Sequence, residues 1–377
     1  MYNMKHSVPL IILFFALCQL WAEPVYSPTW GFKLDLPEGY EFVEGDGRDR
    51  FSFKGPLGSH FDIAVYNETY KTMKELADDV NRRLKNKGDT SFFEYREKAA
   101  CLFELQFDKS LGWGLCVELE KKQDAKSTPF LLALAYADAG QKADLFHLSA
   151  LDSIAPAKAD TRYPGPIMEF GYPRGERKKT KLAGTSLEAW IWENDAEAAQ
   201  ALVDREFSLL RHYQFMENWQ EAWIRFYRAI YRDSWDRLVD AAFQLERNWH
   251  YPINNKEGNR SLAQKILSFV QGFKYERDFA GSDFVNLVSA VIEGKGDCDS
   301  RAMLWAIVLA QADIPAAIMV SREHSHAMGL ADIAGQGARF EAAGKKWLVA
   351  ETTARVDIGL IAQEVSDIES WLAVVFE

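Results

Sequence analysis

At 377 residues the chain is long enough for two units, each burying a core of its own. Hydrophobic residues make up 48% and charged ones 26%, which excludes both a disordered chain and a protein of many membrane spans. The formal net charge of -11 repels polyanions, so a nucleic-acid partner is not expected.

Residues 1–22 place Lys5 and His6 ahead of the apolar run Val8 to Leu17, then end on Ala22. That pattern predicts a secretory signal, too short and wrongly flanked for a spanning helix, and a secreted or periplasmic protein. Cys18 offers a second route, cleavage before it and lipidation, against which stands Leu17, bulky where such signals carry a small residue. No later run has the length of a membrane span.

Residues 23–156 predict an N-terminal α/β sandwich. Phe32 to Leu36 and Phe61 to Tyr66 alternate as strands, while Leu76, Val80 and Leu84 recur at helical spacing across Met73 to Leu84. Ala99–Leu105 and Trp113–Leu119 read as a hairpin, and Pro129 to Tyr136 as a further strand. In pattern alone this half resembles PsbP-like domains, with no motif that carries a function across. Cys101 shares a face with Phe103 and Leu105, whereas Cys116 shares one with Glu118. In a regular hairpin the two would point apart, and no disulfide is expected.

Pro164, Gly165, Pro166, Pro173 and Gly175 mark residues 157–185 as a linker. Residues 186–260 are expected as a helical segment packed on the final unit, in which Asp195 to about Trp249 predicts two long amphipathic helices, with Leu202, Phe207 and Leu210, then Trp223, Phe226, Ile230, Leu238 and Phe243 recurring at three and four. These aromatics are expected in the core. The final unit, residues 261–377, opens with a helix from Leu262 to Gly272. Four short strands close it: Ile314–Val320, His326–Asp332, Arg339–Ala342 and Trp347–Thr353. The fold class expected is α+β.

Between that helix and those strands lies Gly294-Lys295-Gly296-Asp297-Cys298-Asp299-Ser300, followed by an almost wholly apolar run to Ala310. The glycines allow tight turns, the Asp and Ser side chains can cap free amides, and the run predicts a helix buried on every side. Cys298 then stands at a helix mouth, where the partial positive charge stabilises a thiolate by roughly 0.3–1 kcal/mol. A cysteine at a helix start, a histidine opening a strand and a carboxylate closing another are the parts of an acyl-transfer triad. An imidazole is needed to ionise a thiol of pKa about 8.5, and a carboxylate to fix the imidazole tautomer.

Phe269-Val270-Gln271 with Tyr275, then Gly296-Asp297-Cys298-Asp299, His326-Ala327-Met328, and Trp347 with Glu351-Thr352-Thr353 together resemble the transglutaminase-like cysteine-enzyme superfamily. The resemblance covers about Ser261 to Thr353. It implies a papain-like half-fold with Cys298 as nucleophile, His326 as general base then acid, and Glu351 as orienter. Met328 stands where the family shows Trp, and Glu351 where it shows Asp.

His324, two residues before His326 on an extended segment, would point the same way, and either could serve as base. The motif favours His326. Gln271 and Tyr275 are candidate oxyanion or cleft groups. Cys298 with two histidines also permits zinc, but no CxxC or HExxH supports it, so neither metal nor cofactor is expected. The expected activity is hydrolysis of an amide bond in a protein, peptide or cell-wall substrate. The alternative is a catalytically silent module of the same fold that binds a peptide or protein partner.

Overall fold

The computed structural model describes residues 24–121, 126–249, 256–277 and 282–376. The expected signal segment, with Cys18, lies outside them. Among the described residues no helix is long and apolar enough to cross a membrane.

The first half is built on a seven-stranded antiparallel sheet. Its strands are β3 (Glu41–Gly45), β4 (Arg50–Lys54), β5 (His60–Tyr66), β6 (Thr90–Tyr95), β7 (Lys98–Phe107), β8 (Ser110–Glu118) and β9 (Phe130–Asp138), in the order β3-β4-β5-β9-β8-β7-β6. A small ribbon, β1 (Val25–Tyr26) with β2 (Lys33–Leu34), precedes it. Helices cover both faces: α1 (Met73–Leu84) packs Leu76 and Val80 on Phe103 and Leu132, while α2 (Asp144–Asp152) packs Ala150 and Leu151 in a second core with Leu115 and Leu131.

The two hairpin cysteines correct the sequence reading. Cys101 pairs directly opposite Cys116, and both lie in the core beneath α1 as free thiols. In an antiparallel ladder directly opposed residues share a face, so the register of the β7–β8 turn decides the matter, and Glu118 is no guide to it.

Residues 157–185, expected as a linker, carry structure of their own: a 3-10 turn (Lys158–Arg162), α3 (Pro166–Gly171) and β10 (Arg177–Lys181), which pairs with β11 (Glu188–Trp192). Ala157, Asp160, Met168 and Leu182 are buried. The two predicted helices that follow are three, α4 (Asp195–Leu210), α5 (Trp219–Arg237) and α6 (Val239–Asn248), because the chain breaks at Leu238. Ala241, Ala242 and Leu245 then face the core, and Phe243 is left 52% exposed instead of buried.

Arginines of α4 and α5 tie the halves together. Arg225 pairs with Glu206 at 2.7 Å and donates to the Asp35 carbonyl, Arg228 pairs with Asp35 at 2.7 Å, and Arg205 with Asp152 at 2.7 Å. Buried charges persist only when paired and hydrogen-bonded on this scale.

The remaining elements are α7 (Lys256–Gln271), β12 (Lys274–Tyr275), α8 (Leu287–Glu293), β13 (Lys295–Gly296), α9 (Cys298–Gln311), β14 (Ala316–Ser321), β15 (His326–Ala331), β16 (Arg339–Ala342), β17 (Lys345–Ala350) and β18 (Leu372–Val375). The last five form an antiparallel sheet in the order β16-β17-β15-β14-β18, so a fifth strand joins the four expected. One face packs on α9 within the largest core; the other holds Met319, Met328, Trp347 and Trp371.

Candidate functional site

The cysteine loop is held from two sides. β12 pairs in parallel with β13, setting Tyr275 opposite Gly296, and Asp297 caps α9 by accepting the Ser300 N–H at 2.8 Å and the Ser300 hydroxyl at 2.5 Å. Behind it lies Arg301, almost fully buried, whose Nε donates to the Gly296 carbonyl at 3.1 Å and Nη2 to the Phe273 carbonyl at 2.8 Å. A guanidinium with several donors in a fixed fork can join two backbone segments in this way. In the sequence Arg301 is the one charged residue of the apolar run from Arg301 to Ala310, and that lone charge is the signal that sets it apart.

Trp305 sets the spacing between α9 and the sheet. Its indole N–H donates to the Ala263 carbonyl at 3.0 Å, and its ring lies against Gly329 of β15. Ala327 and Ala331 share that face of the strand, whereas Met328 faces the opposite core with Trp347. Met328 therefore lies on the far side of the sheet from the cysteine helix, in the core that holds Trp371.

The register Gly329↔Ala350 brings the start of β15 beside the end of β17. His326 Nε2 lies 2.8 Å from Glu351 Oε2, while Glu351 Oε1 accepts the Thr353 N–H at 2.7 Å and the Thr353 hydroxyl at 2.6 Å. Burial raises the Glu351 pKa, but the His326 and Thr353 hydrogen bonds outweigh it and hold the carboxyl below its ordinary range. The longer glutamate thus reaches the imidazole directly.

Cys298 is 3% exposed. Its Sγ hydrogen-bonds Asp299 Oδ1 at 3.7 Å, and among the described residues no hydrogen bond joins it to His326. The Ala327 backbone N–H and the Tyr275 phenol lie near enough to favour its thiolate. Burial, then the charges of Asp299 and Asp297, push the thiol well above its usual pKa all the same. In this state the helix mouth does not ionise the sulfur as its position suggested, because desolvation and two carboxylates exceed the effect of the helix end. Asp297 itself is pushed up to about 8 by burial and by Asp299. Asp297, Cys298 and Asp299 each place a ligand atom within 4.8 Å of the others, the one such grouping among the described residues able to hold a metal ion.

The other candidates separate. His324 is not on an extended strand: it lies in the turn before β15, where Ser325 takes a positive φ of 47°, and its Nε2 meets Ser370 Oγ at 2.9 Å. Both histidine rings nevertheless lie against Trp371, at 5.6 Å and 6.1 Å. Trp371 comes from the segment before β18, and nothing in its local sequence announced this role. Gln271 spends both amide protons on carbonyls, those of Glu351 at 2.8 Å and Val356 at 2.9 Å. It fastens the acid's segment and has no proton left for an oxyanion. Tyr275, 47% exposed beside the sulfur, remains in the site.

Among solved structures the chain is similar to Legionella pneumophila LapG in a calcium-bound form, at 17% identity and a TM-score of 0.20, over 41% of this chain and 80% of that one. A second LapG structure from the same organism matches at 18% identity and a TM-score of 0.19, over 42% and 78%. No family model and no curated protein matches the chain.

Proposed function

We propose that this chain is a transglutaminase-like cysteine peptidase or amidase that hydrolyses an amide bond through a thioester on Cys298. The observation that carries the reading is the His326 Nε2–Glu351 Oε2 contact of 2.8 Å, with the acid fixed by Thr353. It orients an imidazole whose other nitrogen, Nδ1, has no hydrogen-bond partner among the described residues, at the start of the strand whose next N–H lies near the sulfur.

In this mechanism His326 takes the proton from Sγ as sulfur bonds to the substrate carbonyl carbon, and Glu351 stabilises the imidazolium. The C–N bond breaks as the imidazolium returns that proton to the leaving amine. Water, deprotonated by the same imidazole, then cleaves the thioester and regenerates the thiol. The Cys298 backbone N–H at the start of α9 is the natural first donor to the oxyanion, and the Tyr275 hydroxyl is the best-placed side chain for a second. Water is the default acceptor, so hydrolysis is preferred to transamidation. The enzyme would work after export, secreted or periplasmic, on protein, peptide or cell-wall amides.

The competing reading is a silent module that binds a peptide, favoured by the raised thiol pKa and the missing sulfur–imidazole hydrogen bond. Iodoacetamide labelling at neutral pH, resolved by residue, separates the two. The peptidase reading expects Cys298 to label much faster than Cys101 or Cys116, with the excess lost in His326→Ala; equal rates at all three overturn it.

A further inference from the structure

Two cavities, of about 350 Å³ and about 370 Å³, share Trp219, Trp223 and Arg322 in their walls and so form one groove. Its inner end is walled by Ser370, whose hydroxyl meets His324 Nε2, and by Trp371, against which both histidine rings lie. Its outer end adjoins the loop before α5, where Phe215 is 90% exposed and Met216 42% exposed. Large apolar side chains left open beside a ring-lined groove mark a surface built to be covered. The Trp219 and Trp223 rings lie 5.8 Å apart, and the Arg322 guanidinium stands 5.3 Å from the Trp219 ring.

The charge of the outer cavity selects the occupant. Arg211 and Arg322 line it with no acidic side chain among its wall residues, and neither arginine has a carboxylate partner among the described residues. In a chain of net charge -11 this sets two cations without a salt-bridge partner in one cavity, Arg322 donating instead to the Gln214 carbonyl at 3.4 Å. Glu323 and Glu369 line only the inner cavity, on the His326 side.

From this arrangement we infer that the groove binds a peptide segment of the substrate carrying an acidic residue followed by apolar or aromatic ones. The carboxylate would meet Arg211 and Arg322, and the apolar side chains would lie on Trp219 and Trp223. The inference rests on the peptidase reading and names its substrate class. Arg offers a planar fork that fits a carboxylate, and rings supply contact area at low entropic cost.

The test uses the full chain with Cys298→Ala, which cannot form a thioester, and two acetylated tetrapeptide amides, Asp-Glu-Leu-Phe and Lys-Lys-Leu-Phe, titrated by calorimetry. The acidic peptide should bind about tenfold tighter or better. Arg322→Glu, at an exposed position, should reverse that preference, and Trp219→Ala should weaken both peptides about tenfold. Equal affinities, or a preference untouched by Arg322→Glu, overturn the groove assignment. A mutant chain that binds as expected while the native chain cleaves no peptide leaves the groove standing and removes the peptidase. Cleavage by the native chain with kcat/KM indifferent to peptide charge does the reverse.

Discussion

The ring of Trp305 fills the space that a side chain at Gly329 would need: a β-carbon there would come within 2.4 Å of Cε3 and 2.6 Å of Cζ3. Helix α9 and strand β15 are therefore as close as an indole allows, and that spacing sets how far Cys298 stands from the strand opened by His326. Gly329→Ala should cost about 1–3 kcal/mol, as overpacking does, and should depress Cys298 labelling more than overall stability explains. Shrinking the ring restores room, so Gly329→Ala with Trp305→Phe should regain labelling relative to Gly329→Ala alone. Urea unfolding and alkylation rates measured on all three variants check this; a Gly329→Ala chain as reactive as the native one removes the spacing role.

The carboxylates flanking the sulfur make a second prediction. Burial first, then Asp299 and Asp297, raises the Cys298 thiol pKa. Removing the Asp299 charge should favour the thiolate, and each unit the pKa falls raises the thiolate fraction about tenfold below the pKa. Asp299→Asn should therefore alkylate Cys298 faster than the native chain at pH 7.5, with its rate profile displaced to lower pH. An unchanged or slower profile would show that Asp299 serves the sulfur by position and not by charge.

Much of this site was legible because it is local. Gly-Asp-Cys-Asp-Ser before an apolar run reads as a capped helix start, and Asp297 does cap Ser300. The α1 boundaries followed from Leu76, Val80 and Leu84, with Thr72 accepting the Glu75 N–H at its start. What escaped was decided by distant chain. Trp371 reaches the histidines from a segment 45 residues on from His326. Gln271 is engaged by carbonyls 80 and 85 residues away. The faces of Cys101 and Cys116 depended on a hairpin register that alternating hydrophobicity leaves open, since both sides of the central strands are covered by helices.

The acid of the proposed triad can be tested by isosteric change. Glu351→Gln keeps the size and one hydrogen bond but no longer stabilises an imidazolium, and a general-base contribution of about 10²–10⁴ in rate is at stake. Glu351→Asp retains the charge but withdraws it by one methylene from a 2.8 Å contact. Both should slow Cys298 labelling at pH 7 with little change in unfolding midpoint, Gln more than Asp. If Gln reacts at the native rate, Glu351 only fastens the Thr353 turn.

Away from the site, Glu38 gives a pH-dependent stability. It is 8% exposed, its Oε1 has no hydrogen-bond partner among the described residues, and burial raises its pKa to about 7 against the opposing charge of Arg225. Because the folded value lies above the unfolded one, near 4.5, the folded state holds the proton more tightly. The stabilisation is fully present below the unfolded value and is lost as pH rises through about 7. Glu38→Gln, neutral throughout, should flatten that loss. Melting temperatures at pH 5 and pH 8 should differ less in the variant than in the native chain, by about 2–4 °C for each kcal/mol of linkage removed. Equal pH dependence in both chains would mean that Arg225 keeps Glu38 ionised in the folded protein.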